Sequence, residues 1–213
     1  REALKIADAA TVSSRFMARL LAEFYGGEII IIEDALDISA QPVKAASQKP
    51  RTFLWFGHQS NIEYLHDFIC TGFEEADVVR FLVLSSKKGL EVFARRPLKS
   101  RAKVECKLHV WSTEQTVAFA KHADACIIPS GSTKVGASSN RLITAFALGL
   151  PTAADNVESY REFSEFYVDL RSGEFRAMVE NPDLFNERVA KAQRDIVPKF
   201  SLDNIKKAWG RLI

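Results

Sequence analysis

ADACIIPSGSTKVGASSNRLITAFALGLPTAA, residues 123–154, is the stretch from which the fold can be read. Ala125–Ile128 is a short, continuous apolar run closed by Pro129, the pattern of a strand covered on both faces. Residues 129–141 are dominated by Ser, Gly, Ala and Thr, and they give way to an apolar helix over 140–148 that Gly149 stops. A further strand follows at 151–154. Strand, loop, helix and strand in this order make a parallel βαβ unit, because a parallel neighbour can be reached only by a crossover.

The same alternation runs outward in both directions. Upstream lie a strand at 10–14, a helix at 16–25 stopped by Gly26 and Gly27, and a strand at 28–32 that ends on Glu33 and Asp34. Residues 39–50 carry no periodicity and read as a connection. Strands at 52–56, 79–84 and 104–110 are then each followed by a helix, at 61–72, 87–94 and 113–122. Downstream of 154 the pattern becomes helical, near Tyr160 and over 172–179, 184–197 and 202–212. The expectation is an α/β fold: a mostly parallel sheet flanked by helices, spanning 1–180, with closing C-terminal helices over 181–213.

Composition narrows the function. Of 213 residues, 47% are hydrophobic and 26% charged, enough for a large core, and a net charge of +2 gives no broad footprint for nucleic acid. The densest basic run, Arg95, Arg96, Lys99, Arg101 and Lys103, reads as a solvated helix end and loop, with peripheral contact to an anionic membrane face as the second reading. Cys70, Cys106 and Cys126 show no paired spacing, which points to buried free thiols in a reducing, cytoplasmic compartment rather than disulfides or zinc. The chain opens at Arg1 without a Met or a signal peptide, so it is expected to be part of a longer protein.

In an open parallel sheet, ligands bind beyond the carboxyl ends of the strands, at Ser13 and Ser14 and at the loops after 56, 110 and 128. The loop after 128 is the most informative. Backbone N–H groups at a helix start attract phosphate oxygens, small residues allow close approach, and Lys134 and Arg141 add positive charge. A polar loop ending in an ordinary Ser cap is the competing reading. Gly57 permits a sharp turn after its strand, with His58 beside it and Asn61 placed to cap the next helix. Trp111 is either a nucleobase contact or a core or rim aromatic. Glu33, Asp34 and Asp37 are either mouth-of-sheet carboxylates or plain turn residues. His66, His109 and His122 read as structural, and the four histidines lack metal-ligand spacing. No nucleophile, base and orienting carboxylate converge, so a hydrolytic triad is not expected.

Taken in order, these segments resemble the C-terminal, nucleotide-sugar-binding domain of GT-B glycosyltransferases, a Rossmann-like fold. The likeness rests on 10–14 with the helix after it, on 29–37, on the Gly-ended strand Leu54 to Gly57, on Ala123 to Ser130, and on Ile143 to Thr152. It implies a donor site for a nucleotide diphosphate sugar, with no cofactor and no bound metal. Carried over, the phosphate-facing and sugar-facing roles fall on Gly57, His58, Lys134, Ser138, Ser139, Asn140, Arg141 and Thr144, and the base-facing roles on Trp111, Ser112 and Thr113. Many retaining members carry a pair of glutamates where this chain has Gly136 and Thr144, and an Arg where it has His58.

The resemblance implies transfer of a sugar to a glycan, lipid or small-molecule acceptor, with a further N-terminal domain contributing the acceptor site. Two rivals stand beside it: a non-catalytic nucleotide- or partner-binding module, and a sugar-nucleotide epimerase.

Overall fold

A computed structural model describes residues 4, 6–47, 51–131 and 138–212. Six strands form one parallel sheet in the order β5-β4-β3-β6-β7-β8, with β3 (Arg51–Phe56), β4 (Val78–Ser85), β5 (Lys103–Val110), β6 (Ala125–Ile128), β7 (Thr152–Ala154) and β8 (Val168–Asp169). The chain winds outward from β3 to β5, then crosses to the other side of β3 for β6. The junction between β3 and β6 is therefore the place where strand order reverses and where a crevice opens at the carboxyl ends.

Alternation along the strands supplies two cores, one on each face of the sheet. Leu54, Phe56, Leu82, Leu84, Cys126 and Ile128 face one side. There they meet α5 (Asn140–Ala147), the turn Glu158–Phe163 and α7 (Asn186–Asp195). Phe53, Trp55, Phe81, Val83, Ala125 and Ile127 face the other, under α2 (Ile62–Thr71), α3 (Lys87–Arg95) and α6 (Gly173–Glu180). Both faces are covered, which is why the strands read as nearly unbroken apolar runs.

Two features differ from the sequence reading. β1 (Ala9–Val12) and β2 (Glu28–Ile31) pair in parallel with each other and stay apart from the six-stranded sheet, with α1 (Arg15–Ala22) as their crossover. No residue of α1 is buried, so this unit has little core of its own. The expected helix over 184–197 is broken into the 3-10 turn Pro182–Phe185, α7 and the turn Val197–Phe200, with a proline in the first turn of each 3-10 segment. Proline fixes φ and lacks the N–H that a continuous helix needs.

Gly149 ends α5 with φ of +73°, a left-handed conformation that costs other residues free energy. Its missing side chain also lets the connection 32–47 cross: a β-carbon at Gly149 would stand 2.5 Å from the carbonyl oxygen of Pro42. That connection is pinned where Gln41 N donates to Ala147 O (2.6 Å) and Leu36 N donates to Phe200 O (2.9 Å). Gln193 on α7 donates to Gln41 O (2.7 Å) and to Phe146 O (2.9 Å), tying α7 to the same crossing. Exposed Leu202 and Trp209 flank the buried Ile205 on α8 (Leu202–Trp209).

Candidate functional site

The crevice at the strand-order reversal is a cleft of about 610 Å³. Its walls come from the loops after β3, β4 and β5, from the start of α5, and from the connection that carries Asp37 and Ile38. The loops are stitched to one another by backbone. Gly57 N donates to Leu84 O (3.1 Å), Ser85 Oγ donates to Gly57 O (2.8 Å), and Trp111 N donates to Ser85 O (2.9 Å). These bonds continue the sheet one residue beyond each strand and hold the cleft's rim in register.

The structure brings Gly57, His58, Trp111 and Thr113 together on the walls of this cleft with Ser138, Asn140, Arg141 and Thr144. Ser112 and Ser139 are not among the lining residues. The Ser112 hydroxyl is used in capping α4 (Thr113–Ala120), accepting from Gln115 N at 3.1 Å. Ser139 is buried at the head of α5. Lys134 and Gly136 lie outside the described residues. Trp111 is no core residue: it is 49% exposed, on the cleft's rim. Phe56, Asn61, Ser86 and Thr116 also line the cleft; Asn61 belongs to a loop the sequence pointed to, while nothing in the sequence singled out the other three.

Ser139, at the cap position of α5, makes no side-chain cap hydrogen bond. The first internal bond of the helix runs from Ile143 N to Ser139 O (3.0 Å), so the amides of the first turn precede the helical ladder. Beside them stands Arg141. Its Nη2 donates to Ser130 Oγ (3.2 Å), while its Nη1 is buried and makes no well-formed hydrogen bond among the described residues, the Arg141 side chain lying against the equally buried Tyr160 hydroxyl. A buried guanidinium nitrogen without an acceptor costs free energy, and an anionic oxygen is the acceptor that best offsets the cost.

The position of Arg141 is set from several sides. Ser130 is itself held by its N–H, which donates to Asp155 Oδ2 (2.7 Å), and Asp155 is paired with Arg171 (3.2 Å). A β-carbon on Gly57 would come within 3.1 Å of the Trp55 ring and 3.3 Å of Arg141 Nη1, so glycine leaves room for both. Burial pushes the phenol of Tyr160 up, with Arg141 opposing, and burial holds the Cys126 thiol up at about 12. Both groups stay neutral, and Cys126 is no nucleophile.

On the opposite wall His58 accepts through Nδ1 from Ser60 N (3.2 Å). The neutral ring that accepts at Nδ1 carries its proton on Nε2, so an exposed N–H donor remains at the cleft mouth. Two other histidines make packing or hydrogen-bond contacts away from the cleft, His66 buried with Nε2 3.3 Å from Arg96 O and His109 4.4 Å from the Phe119 ring, while His122 is an exposed turn residue. Glu33 is away from the cleft, whereas Asp37 lines it. Among the described residues no cluster of three His, Cys, Asp or Glu could hold a metal ion, and no helix is long and apolar enough to cross a membrane.

A parallel sheet of this order, with a helix start at its reversal point, is a Rossmann-like fold of the kind found in GT-B domains. The solved structures that share it bear this out. TarM of S. aureus matches 99% of this chain with a TM-score of 0.69 at 15% identity. HepE of Anabaena, in complex with UDP and glucose, matches 99% at 0.64 and 12%, and the lipopolysaccharide outer core galactosyltransferase WaaB matches 96% at 0.54 and 14%. The chain spans 44% of TarM, 64% of HepE and 61% of WaaB. Likeness at such identities establishes the fold alone. No protein-family model and no curated protein sequence matches the chain.

Proposed function

We propose that this chain is the donor-binding domain of a glycosyltransferase that moves a sugar from a nucleotide diphosphate sugar to a glycan, lipid or small-molecule acceptor. The observation that carries the reading is Arg141 Nη1, buried without an acceptor among the described residues, beside the uncapped start of α5. A diphosphate supplies the missing acceptor and the negative charge that the helix start favours. The rim aromatic Trp111 offers its face to a base. The likeness in fold to HepE, whose structure was solved with UDP and glucose, supports a nucleotide sugar as the ligand class.

In this reading the bond between the sugar's anomeric carbon and the diphosphate oxygen breaks as the acceptor oxygen bonds to that carbon. The acceptor's proton leaves to a base, and charge accumulates on the departing diphosphate. Arg141, the α5 amides and the His58 Nε2 proton stabilise that charge more in the transition state than in the ground state. Residues for the acceptor and the base belong to a further domain. The parallel pair β1–β2 supports this, because each of its strands has an unpaired edge and α1 buries nothing among the described residues.

The second reading, a binding module without catalysis, is motivated by Thr144 and Gly136 standing where many retaining members carry glutamates. Titration calorimetry with UDP-, GDP- and ADP-sugars tests the first part: at least one binds, and absence of any binding overturns the donor site. Product analysis then separates transfer from mere binding, and both from epimerisation, which needs no acceptor.

A further inference from the structure

We propose that Asp37, carried into the cleft by the connection between β2 and β3, reads hydroxyl groups of the bound nucleotide sugar. The inference rests on the donor-site reading above. Asp37 is the one carboxylate among the described residues that line the cleft, and it pairs with no cation or donor among them. It is not on a loose segment. Leu36 before it donates to Phe200 O (2.9 Å) and packs on the core, Ile38 after it packs on the same core, and Gln41 is bonded to the end of α5.

A carboxylate in a cleft built for an anion repels phosphate, so its place is against the neutral part of the ligand. Its two acceptor oxygens match the paired O–H donors of a vicinal diol, found both on the ribose and on a hexose. Thr144 cannot do this work: it has one hydroxyl, which is turned to Asn140 Oδ1 at 3.2 Å. The ligand is thereby gripped at two ends of opposite character, phosphates by Arg141 and hydroxyls by Asp37.

The test is calorimetric titration of the protein, of Asp37→Ala and Asp37→Asn, and of Arg141→Gln as a control. The ligands are whichever of UDP, GDP and ADP binds most tightly, its 2′,3′-dideoxy form and its glucose conjugate. Asp37→Ala is expected to weaken a diol-bearing ligand about tenfold or more, with Asp37→Asn between it and the parent protein. Loss of the parent's preference for the ribose over the dideoxy form assigns Asp37 to the ribose. A loss confined to the glucose conjugate assigns it to the hexose. Equal affinities of parent and Asp37→Ala for all three ligands, or tighter binding by Asp37→Ala, overturns the inference while leaving the donor site intact. If the parent binds none of the three nucleotides, or Arg141→Gln binds them as well as the parent, the donor-site reading itself falls. Asp37 is exposed, so melting temperatures are expected to stay level across the Asp37 variants.

Discussion

Gly57 and Arg141 occupy adjoining space: the β-carbon that any other residue would place at 57 comes within 3.3 Å of Arg141 Nη1, the guanidinium nitrogen without a hydrogen-bond partner among the described residues. The backbone φ at Gly57 is not of the left-handed kind, so the requirement there is for room. One position governs the turn after β3 and the placement of the cation across the cleft from it.

Gly57→Ala is therefore expected to displace the guanidinium or the Trp55 ring by a few tenths of an ångström. The overpacking costs about 1 kcal/mol of stability. The shift in Arg141 weakens nucleoside diphosphate binding by roughly tenfold, since a charge-assisted hydrogen bond depends on its geometry. Thermal melts and calorimetry on the same preparation read the two effects separately. Unchanged affinity would mean that Nη1 does not contact the ligand.

Arg141→Gln separates binding from folding. Loss of a charged donor to a phosphate lowers affinity on the order of 10- to 100-fold. The unliganded protein is expected to melt no lower than its parent, because the variant removes a buried nitrogen that has no acceptor among the described residues. A large drop in melting temperature would assign Arg141 a structural role through Ser130 instead.

Gly149→Ala tests the crossing of the connection over α5. The left-handed φ of +73° and the 2.5 Å approach to Pro42 O act together. A cost of about 2–4 kcal/mol is expected, or roughly 5–15 °C in melting temperature. A melting temperature within a degree of the parent's would show that the connection moves aside freely.

Glu33 gives a pH dependence of definite sign. Burial, then Glu162 and Asp34, raise its carboxyl from 4.5 to about 7 against the opposing pull of Arg15. The folded state thus holds this proton more tightly than the unfolded one, and stability falls as pH rises from about 4.5 through 7. Glu33→Gln should melt with the parent near pH 4 and above it at pH 8, by about 1–2 kcal/mol once solvent screening of a half-exposed group is allowed for. A difference independent of pH would remove Glu33 as the titrating group.

Much of the sheet was legible because strands covered on both faces need continuous apolar runs, as in Leu54–Phe56 and Ala125–Ile128, and because Gly57 and Gly149 mark where elements must end. β8 was not legible: two residues, Val168 and Asp169, carry no period. In the cleft, Gly57, His58, Trp111 and the residues around Arg141 drew attention from their place after strands. Phe56, Ser86 and Thr116 could not, since each looks ordinary in its own segment and becomes a wall only when neighbouring loops close on it. Ser112 illustrates the converse, a polar residue in the right loop whose hydroxyl the helix itself consumes.

The sequence by itself determined the alternation of strand and helix, the parallel sheet and the loops where a ligand would sit, since these follow from local periodicity and from turn residues. Only the tertiary structure decided that Ser139 leaves α5 uncapped, that Arg141 Nη1 is buried without an acceptor among the described residues, and that Asp37 lines the same cleft. Those three facts depend on which groups solvent is kept from and which partners folding brings within reach. No single segment of the chain contains that information.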